Sequence, residues 1–331
     1  MPTFSLASFK KIYFKNKLKL LELTFLSLFL AFLPSLEAPK NIFLAGYLIT
    51  ALYRQSQLPL AKWTIWDWVF LSLIFSSFLS SLFPFVAGGV EWKGFRSMLL
   101  WVTFGWTLYR SDYTFEEKKY LFIFAILMTI PPLVWGLTQV LILFTNKDLQ
   151  LHSVGHVNHS AIYLCIITSV AFSLLINQLK RARQKYIFTT SLLLILFIYC
   201  VILSQSRAAF GITILLISFM ILLSSLTKRL KALLLTVVGV LLVCIIFVRP
   251  VKVIEKQILS QQENHSILAG RENAWSTAFE IARLNPLLGI GNGNWNSITI
   301  DQIKSSVESR GEIFDVEKFT MEHPHPHNIY L

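Results

Sequence analysis

Charge is scarce in this sequence. Asp, Glu, Lys and Arg supply 15% of the residues against 54% hydrophobic ones, a balance outside what an ordinary soluble domain shows. The shortage excludes a soluble globular fold. Cysteine is sparse as well: Cys165, Cys200 and Cys244 all fall inside apolar runs, with no pair at redox or metal-ligand spacing, so they read as inert core residues. The formal charge of +12 would suggest nucleic acid in a soluble protein, but no basic stripe is interleaved with aromatics, and nucleic acid is excluded as a partner. The polar C-terminal stretch has no Asp-x-Asp motif, and the chain has no internal repeat.

What is present is a succession of apolar runs, each able to cross about 30 Å of hydrocarbon with roughly 20 residues or somewhat fewer. They cover 18–34, 38–53, 64–85, 95–109, 119–145, 160–177, 186–204, 208–226 and 231–248. The expected class is therefore all-α: a polytopic integral membrane protein with about nine transmembrane helices. Its expected domains are a helical bundle over 1–248 and a large polar extracytoplasmic loop over 249–331. The fifth run contains Pro131-Pro132 and should kink there, since proline removes a donor and clashes with the preceding turn. Five lysines precede residue 20 without a small-residue cleavage site, so the first run reads as a retained span rather than a removed leader.

Lys and Arg in the connections set the orientation. With the N-terminus inside, the inner segments hold 17 basic residues, among them Arg54, Arg110, Lys118, Lys119, Lys180 and Lys228, and the short outer segments hold five: Lys40, Lys93, Arg96, Lys147 and Arg207. The polar loop after 248 then lies outside, together with Arg207 and the 146–159 connection.

Arg207 interrupts two long apolar runs within Ser204-Gln205-Ser206-Arg207. A charge there is costly unless paired or wetted, which marks a functional site; the competing reading is an arginine snorkelling from a helix end. Residues 271–284 carry Trp275, Ala278, Phe279 and Ala282 at helical spacing, with Glu272, Asn273, Thr277 and Glu280 off that stripe. Asn285-Pro286 should end this helix. Arg271 in its first turn would join the free N–H groups to make an anion site, or else is a solvated loop residue. The Gly289-x-Gly291-x-Gly293 spacing lacks a preceding strand signal, so a tight, closely packed turn is a better reading than a dinucleotide fingerprint. The end of the chain, Glu322-His323-Pro324-His325-Pro326-His327-Asn328, is forced extended by its prolines. Its three histidines could line one face, but no cysteine or carboxylate cluster completes a four-ligand metal set.

In order and spacing, Leu36-Glu37-Ala38-Pro39-Lys40-Asn41, Asn158-His159 after Gly155, Ser204-Gln205-Ser206-Arg207-Ala208-Ala209, Gly270-Arg271 with Trp275, Pro286 to Gly293, and His325-Pro326-His327-Asn328-Ile329-Tyr330-Leu331 resemble the O-antigen ligase family. The resemblance runs over essentially the whole chain. It implies a GT-C-like glycosyltransferase of the inner membrane, its active site facing the periplasm. The reaction it implies moves O-antigen polysaccharide from undecaprenyl pyrophosphate to a sugar hydroxyl of lipid A–core in lipopolysaccharide biosynthesis. Besides donor and acceptor, membrane lipids are expected partners. The implied roles are catalytic for His327, Arg207 and Arg271, and substrate-binding for Arg207, Arg271, His159, Asn158 and Asn328.

The chemistry suits these residue types. Planar, permanently charged arginines neutralise a leaving pyrophosphate through paired hydrogen bonds, and a histidine, titrating near pH 6.5, takes the acceptor's proton. No metal or cofactor is required, and direct displacement inverts the anomeric centre. O-antigen polymerases and protein O-oligosaccharyltransferases of the same superfamily share these features. A transporter of lipid-linked glycans would call for paired ionisable residues within the spans or a repeat, and the sequence shows neither, Glu22 and Asp67 lying near span ends. Family members continue past this histidine with a glycine pair and further helices, so the sequence is expected to be C-terminally truncated.

Overall fold

A computed structural model describes residues 17–57, 62–86, 89–146, 148–151, 157–181, 184–248, 271–291 and 293–319. Over these residues the chain is all-helical. A helix occupies each of the expected spans: α1 (Lys17–Phe32), α2 (Glu37–Ser56), α3 (Ile65–Leu82), α4 (Glu91–Arg110), α5 (Phe115–Leu141), α6 (Val157–Lys180), α7 (Gln184–Leu203), α8 (Arg207–Leu223) and α9 (Lys228–Val248). The polar region adds α10 (Arg271–Leu284) and α11 (Ile300–Glu308), with single 3-10 turns at Asn294–Ser297 and Val316–Lys318.

Among the described residues, four helices are long and apolar enough to cross a membrane: α3, α5, α7 and the His159–Lys180 part of α6. Ala208–Leu223 forms a shorter apolar helix. Among the described residues a helix thus lies at each of the nine expected spans, and four of these helices meet the length and apolarity of a membrane crossing. α1 is described over 16 residues, and α2 and α4 carry Glu37, Lys40 and Arg54, and Glu91, Lys93, Arg96 and Arg110, which dilute their apolar length. Large side chains stay uncovered on the apolar helices: Phe75, Phe122, Ile166, Ile195 and Phe219 are each more than half exposed. Water penalises such a surface and hydrocarbon does not. The chain is a multi-pass membrane protein.

Its residues form two compact units. The first contains α1, α2 and α5 to α9; the second contains α3, α4, α10, α11 and both 3-10 turns. The sequence assigned α3 and α4 to a bundle ending at 248, yet they group with the polar C-terminal region, because a buried asparagine of that region bonds to their connection, as described below.

In the first unit, Leu133, Leu149, Leu164, Phe197 and Ile221 are fully buried and belong to one apolar cluster drawn from α5 to α8. α5 continues through Pro131 and Pro132. Its start is fixed by a capping box, in which the Glu117 N–H donates to Thr114 Oγ1 at 3.3 Å and the Thr114 N–H donates to Glu117 at 2.7 Å. Beside this start lies a knot of charge. The Arg54 guanidinium on α2 donates to fully buried Glu22 on α1, as does the Tyr113 hydroxyl, and Arg54 Nη1 donates to Asp112 at 2.7 Å. Lys19 pairs with Glu117 at 2.9 Å. Glu22 is therefore one half of a buried ion pair, where the sequence showed no paired ionisable residues; its partner lies 32 residues away, beyond any helical periodicity.

Candidate active site

Arg207 is the first residue of α8, and the chain around it shows how it is set there. α7 ends at Leu203, and three residues reverse the direction before α8 begins. Gln205 makes the reversal by taking a left-handed backbone, φ 53°; this conformation costs a residue with a Cβ roughly 1–2 kcal/mol. Ser204, fully buried, turns its hydroxyl back to the Val201 carbonyl at 2.6 Å. Ser206 caps α8 by accepting from the Ala209 N–H at 3.4 Å, the role its short hydroxyl favours. An arginine thus enters the end of a helix where the peptide dipole is positive, an arrangement that favours an anion at that end.

A short segment ties this turn to His159. Leu149 donates its N–H to the Leu203 carbonyl at 3.1 Å, and two residues on, Leu151 donates to Ser160 Oγ at 2.9 Å. Both leucines are buried, and the segment lies directly on α5: a Cβ added at Gly136 would stand 2.9 Å from the Gln150 carbonyl oxygen and from a Leu149 methyl. The end of α7 and the first turn of α6 are thereby braced together at one end of the first unit. Asn158 and His159 occupy that turn of α6, and the His159 side chain is exposed. Sequence reasoning missed this brace; its only signal was the apolar alternation Leu149-Gln150-Leu151 within a polar connection.

In the second unit Arg271 is the first residue of α10. The helix matches the predicted extent, but its buried face differs from the expected stripe. Thr277, Ala278, Glu280 and Ile281 are buried, whereas Phe279 is 57% exposed and Ala282 is exposed. The stripe is rotated because Glu280 is recruited inward. It accepts from Ser306 on α11 at 2.7 Å and from Arg310 Nη2 at 2.9 Å, and Arg283 joins at 3.3 Å. Burial alone would raise the Glu280 carboxyl's pKa, but the hydrogen bonds of Arg310 and Ser306 and the charges of Arg310 and Arg283 hold it below the ordinary carboxylate value.

The glycine turn lies against α3 and α4. Asn294, fully buried, donates its amide to the Val86 carbonyl, to Glu91 Oε1 at 2.8 Å and to the Ile290 carbonyl at 3.1 Å. Gly291 sits beneath it at φ 99°, where a Cβ would come within 2.9 Å of Pro84 Cβ and 2.6 Å of Asn294 Nδ2. Only glycine fits both the conformation and the space. The turn is therefore a packing device, in keeping with its glycine spacing. Farther along α3, Asp67 accepts from Thr64, from Trp106 Nε1 at 2.8 Å and from Arg110 Nε at 2.7 Å. Like Glu22, it is a paired buried carboxylate, which the sequence reading did not anticipate.

His327 and Asn328, with His323 and His325, lie outside the described residues. Among the described residues no group of three His, Cys, Asp or Glu side chains is placed to hold a metal ion.

Comparison with known proteins adds one match. No curated protein and no solved structure matches the chain, whereas the family model described as O-antigen ligase matches residues 192–331. That stretch contains the capped start of α8, all of α10 with Arg271, the glycine turn and the terminal histidines. Over residues 192–331 the chain is thus similar to the O-antigen ligase family.

Proposed function

We propose that this enzyme transfers O-antigen polysaccharide from undecaprenyl pyrophosphate to a sugar hydroxyl of lipid A–core, as an inverting, metal-independent glycosyltransferase. The observation that carries the reading is that Arg207 and Arg271 both open helices inside the family-matched stretch, where anionic groups are favoured. In the reaction His327 takes the acceptor's proton, the acceptor oxygen bonds to the anomeric carbon, and the bond from that carbon to pyrophosphate breaks. The electron pair leaves with the lipid pyrophosphate, whose charge Arg207 and Arg271 neutralise. Asn158, His159 and Asn328 hold substrate. The remaining helices complete nine crossings of the bacterial inner membrane, with the polar region in the periplasm.

Deleting the gene distinguishes ligase from polymerase: a ligase loss strips all polymer from lipid A–core, and a polymerase loss leaves single repeat units attached. In the intact enzyme, His327→Ala should abolish transfer and leave donor binding nearly unchanged, while Arg207→Ala and Arg271→Ala should lose both. Donor binding that survives both arginine changes would overturn the assignment. A cysteine near 300, in a variant lacking native thiols, should react with an impermeant reagent in spheroplasts, and one near 182 should not.

The buried pairs Glu22 with Arg54 and Asp67 with Arg110 favour one other reading, since transporters of lipid-linked glycans use paired intramembrane charges. Polymer-free lipid A–core together with normal export of the lipid-linked donor to the outer leaflet would exclude it.

A further inference from the structure

The first unit has a cavity at the end opposite Arg207. It is lined by the first turns of α5, the last turns of α6 and the second half of α8, with a volume of about 710 Å³. Phe122, Ile166, Leu216 and Met220 give it apolar walls, and Lys118, Lys119 and Lys180 stand in its lining at the helix ends. The lysines differ in commitment. Lys119 pairs with Glu116 at 3.1 Å, whereas Lys118 and Lys180 are exposed and make no ion pair among the described residues.

We propose that this cavity binds an anionic glycerophospholipid of the cytoplasmic leaflet, its acyl chain against the apolar wall and its phosphate between Lys118 and Lys180. Three features of the cavity select that occupant. Phe122 and Ile166 are themselves more than half exposed, so in a membrane the wall faces hydrocarbon and admits a chain rather than a water-soluble ligand. From Ile166 to Lys180 the wall runs along one helix at about 1.5 Å per residue, about 20 Å in all, and a leaflet of a bilayer with a core of about 30 Å supplies a chain of comparable reach. The ammonium groups gather at one end only, beside Asn177, matching a molecule with one anionic polar head. The 17 basic residues of the inner connections place that end in the cytoplasmic leaflet, where basic clusters between helices meet anionic headgroups. The site rests on the membrane reading of the fold and not on the transfer reaction.

The test uses the full chain, released from vesicles of equal phosphatidylglycerol and phosphatidylcholine and examined by native mass spectrometry for retained lipid. The expected result is preferential retention of phosphatidylglycerol, reduced about tenfold or more in Lys118→Gln/Lys180→Gln. Both lysines are exposed, so the double variant should unfold in phosphatidylcholine as the parent does. Ser173→Phe, which fills the cavity from α6 and leaves the lysines in place, should lower retention of both lipids. Equal retention of the two lipids by the parent would overturn the proposal. So would an unchanged preference in the double variant, or displacement of the lipid by millimolar inorganic phosphate, which marks a free-anion site. Retention is read without turnover, so failure of the transfer assignment leaves this result standing, and the reverse.

Discussion

The first unit closes around a broad apolar core, with Leu133, Leu164, Phe197 and Ile221 at its centre, and among the described residues its buried charge gathers in one knot between α1, α2 and the start of α5. Among the described residues of the second unit an apolar cluster is made by Ile281, Ile298, Ile303, Val307 and Phe319, and polar side chains do much of the joining: Asp67 to Arg110 and Trp106, Asn294 to Glu91, Glu280 to Arg310. Apolar burial is non-directional and scales with area, so the first unit resists the loss of any one contact in its core. Hydrogen-bonded contacts are directional and leave an unsatisfied group when one partner goes, so the second unit depends on a few named residues. The family-matched stretch spans both regimes: α8 is anchored in the core, and α10 and the glycine turn are held by polar pins.

The sharpest way to break this contrast is at the charged knot of the first unit. Arg54→Ala would leave Glu22 fully buried without its guanidinium, a loss expected to cost about 3–5 kcal/mol. Thermal unfolding in detergent should fall accordingly, and faster hydrogen exchange should concentrate in α1 and α2. The double change Glu22→Gln/Arg54→Gln, which removes both charges, should recover a large part. A cost below about 1 kcal/mol for Arg54→Ala would mean that water reaches the pair and that the first unit rests on its apolar core and not on this knot.

A smaller effect is expected at Asn294. Asn294→Ala would remove a donor from the part-buried Val86 carbonyl and from the buried Glu91 carboxylate, which keeps the Gly89 N–H, at a cost of about 1–3 kcal/mol. The change should raise protease sensitivity within 284–319 while exchange in α5 to α8 stays as in the parent. Gly291→Ala should act in the same place by a different route, through strain at φ 99°. If either variant loosens α5 to α8 equally, the two units unfold as one.

Much of this arrangement is legible in the sequence, and the reason lies in range. The helices follow from apolar length, the end of α10 from Asn285-Pro286, and the turn at Gly291 from glycine spacing, all local signals. Arg207 stands out because a charge between apolar runs is conspicuous by itself. The pairs Glu22 with Arg54, Asp67 with Arg110 and Glu280 with Arg310 are invisible, since they join residues 32, 43 and 30 positions apart whose meeting depends on helix packing. The rotated face of α10 is a consequence of the same blindness: an apolar stripe predicts burial of Phe279, and only the partner arginine explains why Glu280 displaces it.

That rotated face also yields the gentlest test of the contrast, by pH. The Glu280 carboxyl titrates below its ordinary value in the folded chain, against the opposing effect of burial, because Arg310, Ser306 and Arg283 stabilise its charged form. Glu312, bonded to Arg310, is lowered as well. With a folded value below the unfolded one, the unfolded chain binds more protons in the interval between them. The stabilisation is therefore complete above the unfolded value of about 4.3 and is lost as pH falls through the folded value. Hydrogen exchange in α10 and α11, corrected for its intrinsic pH dependence, should consequently rise on acidification from about pH 6 to about pH 3, and Glu280→Gln should remove most of that rise, because a neutral amide keeps hydrogen-bonding capacity and no longer titrates. Arg310→Lys should retain part of the rise, since an ammonium keeps the charge and loses the forked geometry. An acid response of α10 and α11 that persists undiminished in Glu280→Gln would show that the second unit is not held by this pin, and its apolar cluster would then have to carry the stability assigned here to directional bonds.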